Sequence, residues 1–288
     1  MRNSLLLVLT FLLAFGSTAL AQNPPSTDIH VYDLKEAKRR VKLSNGKNMT
    51  NRDGYDNQPY FYATDKILYS SFVDGQTDIF MLNLTTGEKT NLTNSSESEY
   101  SPYLITRSNS FAAVVVEADG TQRLWKYDID QEEKPQLVFE DIKPVGYHAW
   151  AGTEVGMFIL GEPNTLLLTS TKERNDREAT TNIGRTIKVS GRNFIFEKAE
   201  ENGNNLYSAG GRNIKLRKIT TLPRNATAWT ITPSGSFVCS VGSKIWKINR
   251  EFDSQWTEIA DLSEDGIQSI SRIAVSRDNT KMAFVVNR

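Results

Sequence analysis

The sequence predicts an all-β chain folded as a six-bladed β-propeller, each blade a four-stranded antiparallel sheet. Three observations predict it. A module of four short, alternating strands returns roughly every 40 residues. The first and last segments of the repeat region read as complementary halves of one module. A single cysteine, Cys239, leaves stability to a packed core rather than to disulfides.

In chain order, residues 1–21 read as a secretory signal peptide. An apolar run over 5–15 follows Arg2 and leads to Ala19-Leu20-Ala21, a small-residue cleavage site. The run is too short to span a bilayer, which takes about 18–20 apolar residues. Gln22 rather than a cysteine follows the junction, so no lipid anchor is expected. The exported product, 22–288, is expected to be one soluble propeller, periplasmic or secreted and monomeric. Residues 28–34, Asp-Ile-His-Val-Tyr-Asp-Leu, have the pattern of a third strand, and 40–44 that of a fourth. Lys38-Arg39-Arg40 precede that outer edge, where charge discourages sheet-to-sheet pairing.

Blade one is the clearest copy. Gln58-Pro59-Tyr60-Phe61-Tyr62-Ala63 turns at Thr64-Asp65 into 66–72, Asp74-Gly75 turns into 78–84, and Thr86-Gly87 into 89–93. Blade two repeats the order over 101–104, 110–117, 123–129 and 135–139. The innermost strands of the remaining blades are expected at 145–151, 185–190, 227–232 and 270–276, with second strands at 155–160, 193–198, 236–241 and 281–287. The sixth copy stops after two strands, and 28–44 supply the missing two, so 28–44 and 270–288 form the closing blade. A ring closed in this way leaves no unpaired sheet edge inside the array.

The blade-one and blade-two segments, with Thr232-Pro233-Ser234-Gly235-Ser236 and Ser276-Arg277-Asp278-Asn279 at later turns, resemble the TolB-like, WD-repeat-like six-bladed propellers of exported bacterial proteins. Blades three and four depart from the pattern, with Ala151-Gly152-Thr153 and Ser190-Gly191-Arg192 at the turn. The resemblance covers almost all of 22–288 and implies the fold. Such propellers include protein-binding scaffolds, ligand sensors and hydrolase appendages, so it does not choose a function. The extra domains carried by family members have no counterpart in this sequence.

Composition excludes several functions. Thirty-four basic residues balance 34 acidic ones, and losing the leader's Arg2 changes the net charge only to −1, which argues against nucleic acid as the main partner. No nucleophile elbow, zinc helix or phosphate loop is present, and no cofactor is implied. Two histidines and one cysteine do not make a zinc site. Cys239 lies in an apolar strand and reads as a buried, inert thiol. His30 alternates with Ile29 and Val31 and reads as one face of the closing blade, whereas His148 falls on an innermost strand expected to line the central channel. Asp56 and Glu99 precede the prolines of blades one and two. Converging channel acids can hold a hard cation, but only two blades supply one, so solvated turn carboxylates are the preferred reading. Asn48, Asn83, Asn91, Asn94 and Asn225 open glycosylation-type sequons, which the turn chemistry of the repeat explains without glycans.

Aromatic side chains give the binding hint. Tyr60, Tyr103, Tyr147, Trp150 and Trp229 fall on first strands or their entry loops, with Arg185 and Arg272 in the same ring, so an anionic ligand fits. For Trp150 and Trp229 packing between blades is the competing role. The channel-mouth set is therefore Asp56, Tyr60, Glu99, Tyr103, Tyr147, His148, Arg185, Trp229 and Arg272, with no catalytic or metal residue. The preferred function is a non-catalytic propeller binding a protein or cell-envelope partner through one disc face. A small-ligand, glycan-like sensor comes second, and a propeller lyase or hydrolase third.

Overall fold

The computed structural model describes residues 24–37, 40–211 and 214–288. The expected signal peptide lies outside them, as do Lys38 and Arg39 of the basic triplet. Among the described residues the chain forms six four-stranded antiparallel sheets, and the one helical piece is a short turn at Ser263–Asp265. The innermost strands, in ring order, are Asp56–Ala63, Ser98–Leu104, Val145–Ala151, Ile183–Ser190, Ala228–Ile231 and Ile270–Val275. Each is followed outward by its sequence neighbours, except in the last blade. There the order from the axis is Ile270–Val275, Lys281–Asn287, Thr27–Ala37, Arg40–Asn48, so head and tail of the propeller share a sheet. Ile29 stands opposite Val285 and Val31 opposite Ala283. The outer strand runs to Asn48, beyond the expected 44.

The core follows from strand periodicity. Successive side chains point to opposite faces of a blade, so one strand feeds two cores. Ile67 and Tyr69 pack with Ile29, Val31 and Val285 of the closing blade, while Leu68 between them packs with Phe111, Ala113 and Val115 of blade two. Ala112 and Val114 turn the other way, to Trp150, Val155 and Met157 of blade three. Six buried clusters result, one in each cleft between neighbouring blades. Cys239 sits in the cleft between blades four and five, fully buried, and burial pushes its thiol up to about 12, which leaves it unreactive.

A hydrogen-bond network explains why the first segment reads as a third strand. In blade one, Asn91 Nδ2 donates to Asp78 at 2.6 Å and the Ile79 amide donates to Thr93 Oγ1 at 3.0 Å. In the closing blade, Asn48 Nδ2 donates to Asp28 at 2.8 Å and the Ile29 amide donates to Thr50 Oγ1 at 3.0 Å. Asn48, Asn83 and Asn91 each accept amide protons from residues two and three positions on, the Asx turn that accounts for the recurring Asn-x-Thr pattern. His30 is half-buried within the closing blade, opposite Asn48 and Phe284.

Candidate functional site

The innermost strands are not regular ladders. Five of the six carry a register shift against their second strand: between Asn57 and Tyr60, Tyr100 and Tyr103, Val145 and Tyr147, Ile183 and Ile187, and Ile270 and Arg272. A bulge inserts backbone and re-aims side chains. In blades one and two the bulge holds Gln58 and Ser101 in the left-handed backbone region (φ 55° and 57°), each just before a proline. Non-glycine residues seldom adopt that conformation, and such strain is held by its surroundings. Gln58 Oε1 accepts the Ser101 amide at 2.7 Å and the Ser70 hydroxyl at 2.8 Å, joining the two bulges across the blade boundary.

These re-aimed residues enclose two chambers on the axis. The first, about 90 Å³, lies among the N-terminal halves of the innermost strands, at the face that carries the connections between blades. The second, about 330 Å³, lies among their C-terminal halves. Pro59, Tyr60, Tyr103 and Lys188 line both and so form the partition. The two tyrosine rings meet at 4.6 Å between centroids, and Tyr103 lies 6.0 Å from the His148 ring.

Seven of the nine expected residues line the first chamber: Tyr60, Tyr103, Tyr147, His148, Arg185, Trp229 and Arg272. Trp229 also packs in the cleft between blades four and five, and Trp150 packs between blades two and three without reaching the chamber wall. Arg272 lies over the Tyr147 ring, 5.7 Å from its centroid, and donates to the Tyr147 hydroxyl at 3.2 Å. His148 is 5 % exposed. The indole N–H of Trp150 donates to its Nδ1 at 3.0 Å, and burial lowers its pKa to about 3. The ring is therefore neutral, with the proton on Nε2.

Asp56 and Glu99 are corrected by the structure. Neither lines the chamber, and neither is a solvated turn carboxylate; both are 0 % exposed. The bulge that follows each of them breaks the alternation that would otherwise put Asp56 on the same side as Tyr60. Asp56 is held by Arg52, whose Nε reaches Oδ2 at 3.0 Å and Nη2 reaches Oδ1 at 2.8 Å, and by the Ser71 hydroxyl at 2.6 Å. Glu99 accepts from the Ser95 hydroxyl at 2.5 Å and from Tyr127 at 3.4 Å. Burial, with Asp78 close by, pushes its carboxyl up to about 7.

Sequence reasoning missed Lys188, Gln58 and Ser101. Lysine between Ile187 and Val189 on an innermost strand was a readable signal, since nothing but the axis lies beyond that strand. The paired residue-before-proline positions were the signal for the other two. Among the described residues no three His, Cys, Asp or Glu side chains stand together as a metal site, and no helix is long and apolar enough to cross a membrane.

No family model matches the chain, and no curated protein does. Among solved structures, a putative TolB from Agrobacterium tumefaciens superposes with a TM-score of 0.70, covering 92 % of this chain and 99 % of its own at 10 % identity. The fold is a TolB-like six-bladed β-propeller. An oligogalacturonate lyase in complex with manganese gives a TM-score of 0.59, covering 86 % of this chain and 83 % of its own at 12 % identity. A chain of a nidogen/laminin complex gives 0.61, covering 86 % and 97 % at 10 % identity. At these identities the likeness is one of fold, and the propeller hosts unrelated functions.

Proposed function

We propose that this chain is an exported, non-catalytic propeller that binds a protein or other cell-envelope partner on the disc face where the first axial chamber opens, acting as a monomer. The observation that carries this reading is the wall of that chamber: tyrosines 60, 103 and 147 with Arg185 and Arg272, on a scaffold that needs no rearrangement to present them. Tyrosine and arginine dominate binding hot spots because they bring large contact area and directional donors at little conformational cost. The leader pattern at 1–21 supports export. The nidogen/laminin neighbour is, by its name, part of a protein–protein assembly, which supports the use of this fold for partner binding.

Catalysis has little to work with at this site. His148 is neutral, its Nδ1 is occupied by Trp150, and burial opposes its protonation. No carboxylate lines the chamber, and the lone thiol is buried in a blade cleft. A small glycan-like ligand is the second reading, favoured by the adjoining Tyr60 and Tyr103 rings on the chamber floor.

Site-specific photo-cross-linking separates the faces. A benzoylphenylalanine at position 185, exposed at the chamber mouth, is expected to capture a discrete component of an envelope fraction, and Tyr147→Ala is expected to abolish that adduct. The same label at Leu216, 43 % exposed and away from the axis, is expected to capture nothing. Capture from 216 with none from 185 contradicts the reading.

A further inference from the structure

The charge in the first chamber is one-sided. Arg185, Lys188 and Arg272 line it, and no carboxylate does. Arg272 donates Nη1 to the Ser271 carbonyl at 3.1 Å and Nη2 to the Tyr147 hydroxyl, and Arg185 Nη2 donates to the same carbonyl at 3.2 Å. Neutral oxygens position these guanidinium groups without cancelling their charge. The acid that feels Arg185 is Glu197, whose carboxylate accepts the Trp229 indole N–H at 3.0 Å. Lys188 has no hydrogen bond or ion pair among the described residues. Burial and the nearby Arg272 bring its pKa down to about 8, and burial, with Arg185 nearby, also lowers that of Arg272. Three like charges gathered with no carboxylate on the chamber wall destabilise the fold that gathers them.

A second observation is independent of charge. His148 Nε2 carries the ring's proton and is buried, with only a poorly aligned contact to the Ser101 backbone to satisfy it. The Ser101 hydroxyl, on the same wall, is buried and unpartnered. Buried donors left unpaired are uncommon and costly, and a ligand acceptor is one way to satisfy them. The charged groups on the chamber wall are therefore all cationic, and hydrogen-bond donors stand beside them.

We infer that the first axial chamber is an oxyanion site that takes a carboxylate group, with Lys188 and Arg272 supplying charge and His148 Nε2–H and the Ser101 hydroxyl supplying directional hydrogen bonds. The inference rests on the reading of this chamber as the binding site and adds the chemistry of what enters it. About 90 Å³ holds several waters, so it admits the carboxylate and its immediate neighbours while the rest of the ligand extends past Arg185 at the mouth. An acidic sugar and the free C-terminus of a peptide both present this group.

The test pairs acids with their neutral twins. Glucuronate against glucose, and an unblocked tripeptide against its C-terminal amide, are titrated into the signal-free chain by calorimetry and thermal shift. At least one acid is expected to bind and raise the unfolding midpoint with concentration while its twin does not. Glucuronate alone identifies a sugar acid as the source of the carboxylate, and the tripeptide alone a chain terminus. Arg272→Gln and Lys188→Gln are each expected to weaken binding at least tenfold, with midpoints no more than a few degrees below wild type. A pH series adds a readout that a merely structural role would not move. Lys188 is faced by Arg272 in this chamber and by Arg277, Tyr60 and Tyr103 in the next. Affinity is expected to fall as pH rises through about 8, and Lys188→Arg is expected to remove that fall. Equal binding of acid and neutral twin, or binding of neither acid, overturns the inference. Should both acids fail while position 185 still cross-links a partner, the carboxylate assignment falls alone; should an acid bind while no partner cross-links, the partner reading falls and the anion site stands.

Discussion

Glu99 shows how far a single residue can be read from sequence. Its place before the blade-two proline was legible, but its environment was not, because alternation cannot anticipate a bulge that flips the strand. Inside the fold its carboxyl is pushed up from its ordinary 4.5 to about 7, chiefly by burial, with the nearby Asp78 carboxylate adding to it. Between pH 4.5 and 7 the folded chain holds a proton that the unfolded chain has released, so this group lowers stability as pH rises through that window. Glu99→Gln keeps the shape of the side chain and carries no charge at any pH. The variant is expected to lose this pH dependence and to exceed wild type at pH 8 by about 1–3 kcal/mol, since a tenfold change in proton affinity between folded and unfolded chain is worth about 1.4 kcal/mol. Urea unfolding of both proteins at pH 4.5 and 8 checks it; a variant less stable than wild type at pH 8 contradicts it. His148 and Lys188 tell a similar story. Their strands were legible from sequence, but the poorly satisfied Nε2–H and the carboxylate-free wall depend on neighbours that only the ring brings together.

At the scale of elements, most strands were legible because each blade must alternate to feed two clefts, and because Asp-Gly, Thr-Gly and Asx turns punctuate them. The third-strand character of 28–34 was legible for a chemical reason: Asp28 and Ile29 meet Asn48 and Thr50 as Asp78 and Ile79 meet Asn91 and Thr93. The innermost-strand bulges of the later blades were not legible, since a bulge is a matter of pairing between two strands; only the residue-before-proline positions of blades one and two gave theirs a signature. The closing pair carries a direct expectation. Ile29, Val31, Tyr32 and Leu34 are all buried. Each such side chain contributes about 1.5–3 kcal/mol, so together they rival the roughly 5–15 kcal/mol net stability of a typical domain. Their loss also uncovers the Lys281–Asn287 edge. Deleting 28–44 is expected to give insoluble protein on expression without the leader; a soluble monomer with a cooperative unfolding transition would contradict the closure.

At the scale of the whole molecule, six blades placed around an axis bring together residues that are far apart in sequence, such as Arg272 and Tyr147. That convergence lets several blades contribute to a single binding wall at the first axial chamber. Its mouth, rather than any one blade, is the working surface in this account. The five tryptophans report on it separately. Trp229 lines the chamber and Trp150 holds His148, whereas Trp125 bonds to Glu117 and Trp256 to the Thr221 carbonyl, and Trp246 lies on a third strand of blade five. A proton–nitrogen correlation spectrum of the indole groups, recorded while glucuronate or the partner recovered through position 185 is added, is the most direct measurement. The Trp150 and Trp229 signals are predicted to move while the other three stay; movement confined to Trp125, Trp246 or Trp256 would contradict the axial chamber as the site.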